Sequence, residues 1–281
     1  MPPAPSLAEA EALFAPYLQR WQLTPDGEAL LTPSGALLPV RQDGQAAMLK
    51  VSQNEDERLG AQVMQAWKGA GSARVLEIDG DGLLLERGGD PLIAMAQDGD
   101  DDLATALLCR ALARLHAYDG PRPKGLKDLH SWFADLAPAA RRHGGFLVEA
   151  DALARQLLAA PREQHLLHGD LHHGNLLDFG PRGWLAIDPK GLVGDRALDY
   201  AVIFANPDLC DPSRPVGTDP ARFQRRLAIV CRESGLERQR LLQWLVAWCG
   251  LSAAWFLDDD DPNADIDLAV GALALEALAT Q

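Results

Sequence analysis

Residues 165–180 read "HLLHGDLHHGNLLDFG", His165 to Gly180. His165, His168, His172 and His173 crowd together with two aspartates, an asparagine and three glycines. Apolar pairs bracket the polar core, Leu166-Leu167 before it and Leu176-Leu177 after it. Such a pattern holds a polar loop between two buried anchors. Two chemistries suit it, a metal cluster and a phosphate-handling loop. Asp170 and Asn175 stand five apart, and Asp188 follows Asn175 by thirteen residues, at the end of the apolar run Trp184–Ile187. Two carboxylates and an amide oxygen form a hard, oxygen-rich set that suits Mg²⁺ bound to a substrate phosphate. Zinc would need His168, His172 or His173 in a tetrahedral set, and no cysteine or outlying histidine completes one. His116, His130, His143 and His165 fall in or near predicted helices and read as surface or packing residues.

Working outward, the chain changes texture once. Ser6 to Trp21 is a helix, with Ser6 as N-cap and Glu9 three residues on. "EALLTPSGALLPVRQDGQAAMLKVS" carries apolar runs split at Thr32-Pro33-Ser34-Gly35 and Gln42-Asp43-Gly44, which predicts three antiparallel strands. "NEDERLGAQVMQAWKG" is helical through Leu59, Val63 and Trp67. A second hairpin turns at Asp79-Gly80-Asp81-Gly82. After Gly88-Gly89-Asp90-Pro91 the pattern becomes helical: "DDLATALLCRALARLHAY", "DLHSWFADLAPAARRH" and "FLVEADALARQLLAA", then Asp219 through Ala279. "GWLAIDPKG" supplies one short strand among them. The expected organisation is a strand-rich lobe, residues 1–88, and a larger helical lobe, residues 89–281, with a ligand in the cleft between them.

Composition narrows the partners. The 281 residues carry a net charge of −14 and are 47% hydrophobic, enough for a large core. An acidic surface repels phosphate backbones, so no nucleic-acid partner is expected. Cys109, Cys210, Cys231 and Cys249 are scattered and suggest buried thiols in a reducing compartment. The first residues read as no signal peptide. Leu241 to Leu257 is apolar but short, interrupted by Gln243, Gly250 and Ser252, and reads as a core helix. The expectation is a cytoplasmic protein with no membrane partner.

"HGDLHHGN" followed by "IDPK" resembles the aminoglycoside phosphotransferase branch of the protein-kinase-like superfamily. The wider pattern, with "AAMLKVS", "GLLLERGG" and "WLAIDPKGLVGDRALDYA", is similar to the streptomycin 6-kinase and hydroxyurea phosphotransferase group. The resemblance implies an α+β, two-lobed fold with a small antiparallel-sheet N-lobe and a mainly helical C-lobe. It also implies transfer of the γ-phosphate of ATP, with Mg²⁺, to a small-molecule hydroxyl, a cationic streptomycin-like one in the first place. By the same resemblance Asp170 is the catalytic base, Asn175 and Asp188 hold Mg²⁺, and Lys50 binds the α/β-phosphates. Ser34 and Gly35 stand for a phosphate-binding turn, and the backbone at Glu86 and Arg87 for the adenine-binding hinge. Glu55 and Glu57 both compete to orient Lys50, and Glu57 is chosen. Gly169 replaces the arginine that reads a phosphorylated activation loop in protein kinases. His172 takes the slot of their phosphate-facing lysine; it either contacts the γ-phosphate or braces the loop. Pro189-Lys190 replaces Phe-Gly after the metal aspartate. Asp195 and Asp199 either support the loop or cap the next helix. The aspartates 258–261, 265 and 267 offer a wall for a cationic acceptor, or only a solvated loop. Trp248 and Trp255 read as core. A kinase for another small hydroxyl metabolite and a nucleotide-binding pseudoenzyme are the competing functions.

Overall fold

The computed structural model describes residues 6–32 and 34–280. Pro33 of the first predicted turn lies outside the described residues.

Alternation builds the N-terminal lobe. Helix α1 (Leu7–Arg20) opens with a complete capping box between Ser6 and Glu9. Strands β1 (Thr24–Pro25), β2 (Leu30–Thr32), β3 (Gly35–Gln42) and β4 (Gln45–Val51) follow, then helix α2 (Glu55–Trp67) and the hairpin β5 (Val75–Asp79) and β6 (Gly82–Glu86). All six strands form one antiparallel sheet, ordered β1-β3-β4-β6-β5 with β2 beside β3. Because side chains alternate across a sheet, Leu38, Val40, Ala47, Leu49 and Leu84 face one way, into a core closed by Ala10 and Phe14 of α1. Burying a side chain such as Phe14 contributes about 2 kcal/mol. Their neighbours Leu37, Met48, Lys50, Leu83 and Leu85 therefore face the other way, and these line the cleft. The period of two thus places a lysine at the mouth of an apolar cavity.

The second lobe begins with a helical turn, α3 (Ile93–Met95), and a π-turn (Ala96–Asp100) that runs into α4 (Asp101–His116). The long helix expected over 128–143 is instead β7 (Lys127–Asp128), α5 (Leu129–Trp132) and α6 (Leu136–His143). Asp128 caps α5 by accepting from Ser131 N–H, and the chain re-turns at Phe133 before α6 starts. Helix α7 (Phe146–Ala159) leads to β8 (Gln164–Leu167), β9 (Leu176–Asp178), β10 (Trp184–Ala186), β11 (Leu192–Asp195) and α8 (Ala197–Ala201). Where the sequence predicts one short strand, five occur among the described residues of this lobe. Strand β11 pairs with β7 in parallel and with β8 antiparallel, while β9 and β10 form a hairpin. Helices α9 (Pro220–Ser234), α10 (Arg238–Asp258) and α11 (Ala264–Ala279) complete the core, α9 capped by Asp219. Helix α10 is the one helix among the described residues long and apolar enough to cross a membrane, and 72% of its apolar window is buried within the protein. Trp248 is buried on it, and Trp255 stacks edge-on against Trp248 and Trp132, so both belong to the packing.

Candidate active site

The loop from His168 to Asn175 hangs between β8 and β9. Leu166, Leu167, Leu171 and Leu176 are all buried and fasten it to the core. The β9–β10 hairpin then sets the register. Leu176 pairs with Ala186, and Ile187 N–H donates to Asn175 O at 3.0 Å, so Asn175 and Asp188 emerge side by side. Asp188 takes φ +63°, a left-handed conformation that aspartate tolerates better than most residues. Asn175 Nδ2 donates to Asp170 O at 2.9 Å, which leaves the amide oxygen for other partners. An amide oxygen beside an ionised carboxylate is a donor set that fits Mg²⁺.

Lys50 reaches this point from the opposite lobe. Its ammonium lies 2.5 Å from Glu57 Oε2 and in contact with Asp188 Oδ1. Glu57, not the exposed Glu55, is the partner, because the helical turn points it at β4. Burial pushes the Asp188 carboxyl upward, but Lys50 and Lys190 outweigh it and hold the group well below the usual carboxylate range. Helix α2 is seated on the segment after Asp188. A Cβ on Gly60 would stand 2.2 Å from Pro189 O, and Lys127 Nζ binds Asp56 at 2.7 Å. Gly60 is therefore glycine because backbone meets backbone there.

A cavity of about 320 Å³ adjoins these charges. Leu37, Met48, Met64, Leu85, Leu177 and Ile187 give it apolar walls, wide enough for a planar base. Ser34 lines it beside Thr32, whereas Gly35 sits behind them, where Val51 O fills the space of a Cβ. Glu86, Arg87, Gly88 and Gly89 line the connecting strand. Arg87 N–H donates to Ala46 O at 3.4 Å and its guanidinium binds Asp26. The Glu86 carboxylate is likewise taken, by Arg182 and by Arg74 N–H.

The histidines separate by their partners. His172 Nδ1 accepts from Gly174 N–H at 3.0 Å, and Nε2 faces Asn175 Nδ2 at 3.2 Å. Nδ1 therefore braces the loop, while the Nε2–H of the neutral ring finds no acceptor in the Asn175 amide group and lies 3.9 Å from Asp170 Oδ1, on the cleft side. His168 is buried, its Nε2 against Ile187 O at 2.8 Å. Burial lowers the pKa of His168, His172 and His173 and keeps the rings neutral. Cationic chemistry near Asp170 comes instead from Lys190, 3.4 Å from Asp170 Oδ2 and 3.2 Å from Asp188 Oδ2. Gly169, at φ +80°, has no room for a side chain, as a Cβ would meet Leu192 Cδ1 at 2.7 Å.

Behind the loop stands Asp199. It accepts from His168 N–H at 3.0 Å, from Gly169 N–H at 2.7 Å and faces His116 Nε2 at 2.8 Å. Burial raises this carboxyl, yet His116 and the amides outweigh it and lower its pKa. Asp195 does a different job: it accepts from Ala197 N–H and pairs with the Arg240 guanidinium, away from the loop. His116 is buried and packs against Tyr200 and His165, and its ring is in addition a partner of Asp199; His165 itself lies in β8. Of the C-terminal aspartates, Asp258 is taken by Arg142 and His143, and Asp267 is buried.

Comparison with known proteins identifies the family and the fold. Streptomycin 3''-kinase of Klebsiella pneumoniae is 51% identical over 93% of this chain and all of its own length. Streptomycin 6-kinase of Streptomyces glaucescens is 32% identical, over 95% of this chain and 89% of its own. An aminoglycoside phosphotransferase solved in a ternary complex with ADP and hygromycin B shares the fold, with a TM-score of 0.65 at 14% identity over 94% of this chain and 98% of its own. Residues 20–260 match one family description throughout. The chain belongs to the aminoglycoside/hydroxyurea antibiotic resistance kinases.

Proposed function

We propose that this protein transfers the γ-phosphate of ATP to a hydroxyl of a streptomycin-like aminoglycoside in the cytoplasm. One observation carries the phosphotransfer reading: Lys50 and Glu57 from one lobe meet Asp188 from the other, at the rim of an apolar cavity and beside Asp170. The substrate class is supported by 51% identity to a streptomycin 3''-kinase over nearly the whole chain, and the 3'' hydroxyl is the first acceptor to test.

In this reading the base of ATP enters the cavity and the phosphates run toward Lys50. Asn175 and Asp188 would hold Mg²⁺, which neutralises charge on the β- and γ-phosphates when bound. Asp170 accepts a hydrogen bond from the acceptor hydroxyl and orients it in line with the phosphorus. Ser34 lies where a turn N–H can meet a phosphate oxygen. A lobe boundary at residues 88 and 89 is supported by Gly89 N–H, which bonds Asp178 O at 2.7 Å.

The test is a coupled turnover assay with ATP, Mg²⁺ and a panel of alcohols: streptomycin, other aminoglycosides, hydroxyurea and simple amino alcohols. The site of phosphate on the product is then located by NMR. Transfer to streptomycin supports the proposal. Transfer only to an unrelated alcohol would replace the substrate class, and nucleotide binding without transfer to any would make the protein a pseudoenzyme.

A further inference from the structure

Lys190 has no task in the scheme above, yet it occupies the centre of the site. Its ammonium bridges Asp170 Oδ2 and Asp188 Oδ2 at 3.4 and 3.2 Å. Its backbone is fixed: Lys190 N–H donates to His168 O at 2.8 Å, and the next residue, Gly191, turns at φ +69° against Leu59. Only the flexible stem can move, and it moves over the space between the two carboxylates.

That space has one remaining tenant. With ligands bound, Asp170 holds the acceptor hydroxyl and Asp188 holds the metal. The anion left within reach of Lys190 is the phosphoryl group passing between them. From the loop, His172 Nδ1 is committed to Gly174 N–H and its Nε2 stands 3.9 Å from Asp170 Oδ1, whereas the Lys190 ammonium reaches both carboxylates. Lys50 approaches from the opposite lobe and is tethered by Glu57 at 2.5 Å.

We propose that Lys190 is a catalytic residue of this reaction, the cation that stabilises the phosphoryl group in flight. The inference rests on the phosphotransfer reading and deepens it. In the step, the bond from the γ-phosphorus to the β,γ-bridging oxygen breaks, and its electron pair leaves with ADP. A bond from the acceptor oxygen to phosphorus forms, and the hydroxyl proton passes to Asp170. Lys190 keeps its proton and supplies charge to the equatorial oxygens, where charge accumulates. Between turnovers the same ammonium keeps the two carboxylates from repelling each other.

The experiment compares wild type, Lys190→Met and Lys190→Arg in two ways. Calorimetry measures the affinity of ADP and of a non-hydrolysable ATP analogue, each with and without Mg²⁺. Steady-state assays measure turnover of streptomycin. Lys190→Met should lower kcat about 100-fold, the scale of losing one preorganised charge donor. It should reduce the analogue's affinity relative to ADP about tenfold while ADP itself stays within about twofold. Lys190→Arg keeps the charge and should recover most of both. The inference is overturned if Lys190→Met turns over within about threefold of wild type, or if ADP and the analogue weaken equally, the signature of a lysine that only organises Asp188. Should wild type transfer phosphate to no acceptor, the phosphotransfer reading fails instead, and the binding comparison still decides whether Lys190 meets the terminal phosphate.

Discussion

One loop has a pair of carboxylates on one side and, on the other, a single carboxylate tied into a hydrogen-bonded cluster. In front, Asp170 and Asp188 face the cleft with side chains 28% and 29% exposed, neutralised by the movable ammonium groups of Lys50 and Lys190. Behind, Asp199 is fully buried and its oxygens are committed to two backbone amides and a histidine. The front cluster has partners that a nucleotide, a metal or a hydroxyl can replace. The back cluster has partners that nothing can replace without unfolding the loop. The difference separates function from support: exchangeable charge does chemistry, and saturated charge holds geometry.

The comparison breaks most plainly if the two sides respond alike to truncation. Asp170→Ala should cost about 10³-fold or more in kcat, measured in the turnover assay, with ADP affinity and melting temperature little changed, because a base acts on the acceptor. A variant that turns over normally would remove Asp170 from the base role. Asp199→Ala should do the reverse, losing about 3 kcal/mol in chemical denaturation, because three donors are left facing an empty place. Full stability with lost turnover would move Asp199 to the front cluster.

A fourth carboxylate tests what happens when a buried acid has no good partner at all. Asp267 is buried in α11, and burial pushes its pKa up to about 8, with Ser252 beside it offsetting only part and forming no well-made hydrogen bond. A carboxyl raised in the folded state is ionised in the unfolded chain above pH 4 but stays neutral in the fold until about pH 8. Stability should therefore fall as pH rises between those values and level off above. Asp267→Asn, which cannot ionise, should remove that slope, a gap on the order of 5 kcal/mol by pH 8 in urea titrations. Parallel pH curves for the two proteins would contradict this.

The smallest effect concerns the contact that seats α2. Gly60→Ala forces α2 away from Pro189 O and should loosen the Glu57–Lys50 pair, raising KM for ATP and lowering kcat about tenfold together. An unchanged KM would mean that α2 moves without disturbing Lys50.

How much of this was legible in sequence follows from the range of each signal. The spacing from Asp170 to Asn175 to Asp188 is read along one stretch, because the β9–β10 hairpin is local. The alternation in β3 and β4 is also local, so Lys50 emerged with its strand. Strands β7, β8 and β11 were invisible, being two to four residues long and paired across distant segments, Leu192 with both Lys127 and Leu167. A short apolar run carries no sign of its partner. His116 lies 83 residues from Asp199, so nothing in its helix distinguishes it from a packing histidine. Lys190 was seen in "IDPK" but not placed, since its neighbour Asp170 comes from another strand turn. The segment Glu86–Gly89 lines the cavity, but that Arg87 N–H turns to Ala46 of β4 depends on strand pairing that its own short stretch does not announce.

The division of labour between Asp170 and Asp188 is the centre of the account, and Asp188→Asn tests it most directly. The substitution keeps shape and removes charge from the residue that meets Lys50, Lys190 and the proposed metal position. Isothermal titration of ATP with and without Mg²⁺ against both proteins is the measurement. The account predicts that Mg²⁺ tightens ATP binding to wild type, that the variant loses most of this enhancement, and that its turnover collapses. If Asp188→Asn keeps the wild-type Mg²⁺ enhancement, Asp188 is a structural aspartate and the front cluster is not a metal–phosphate site.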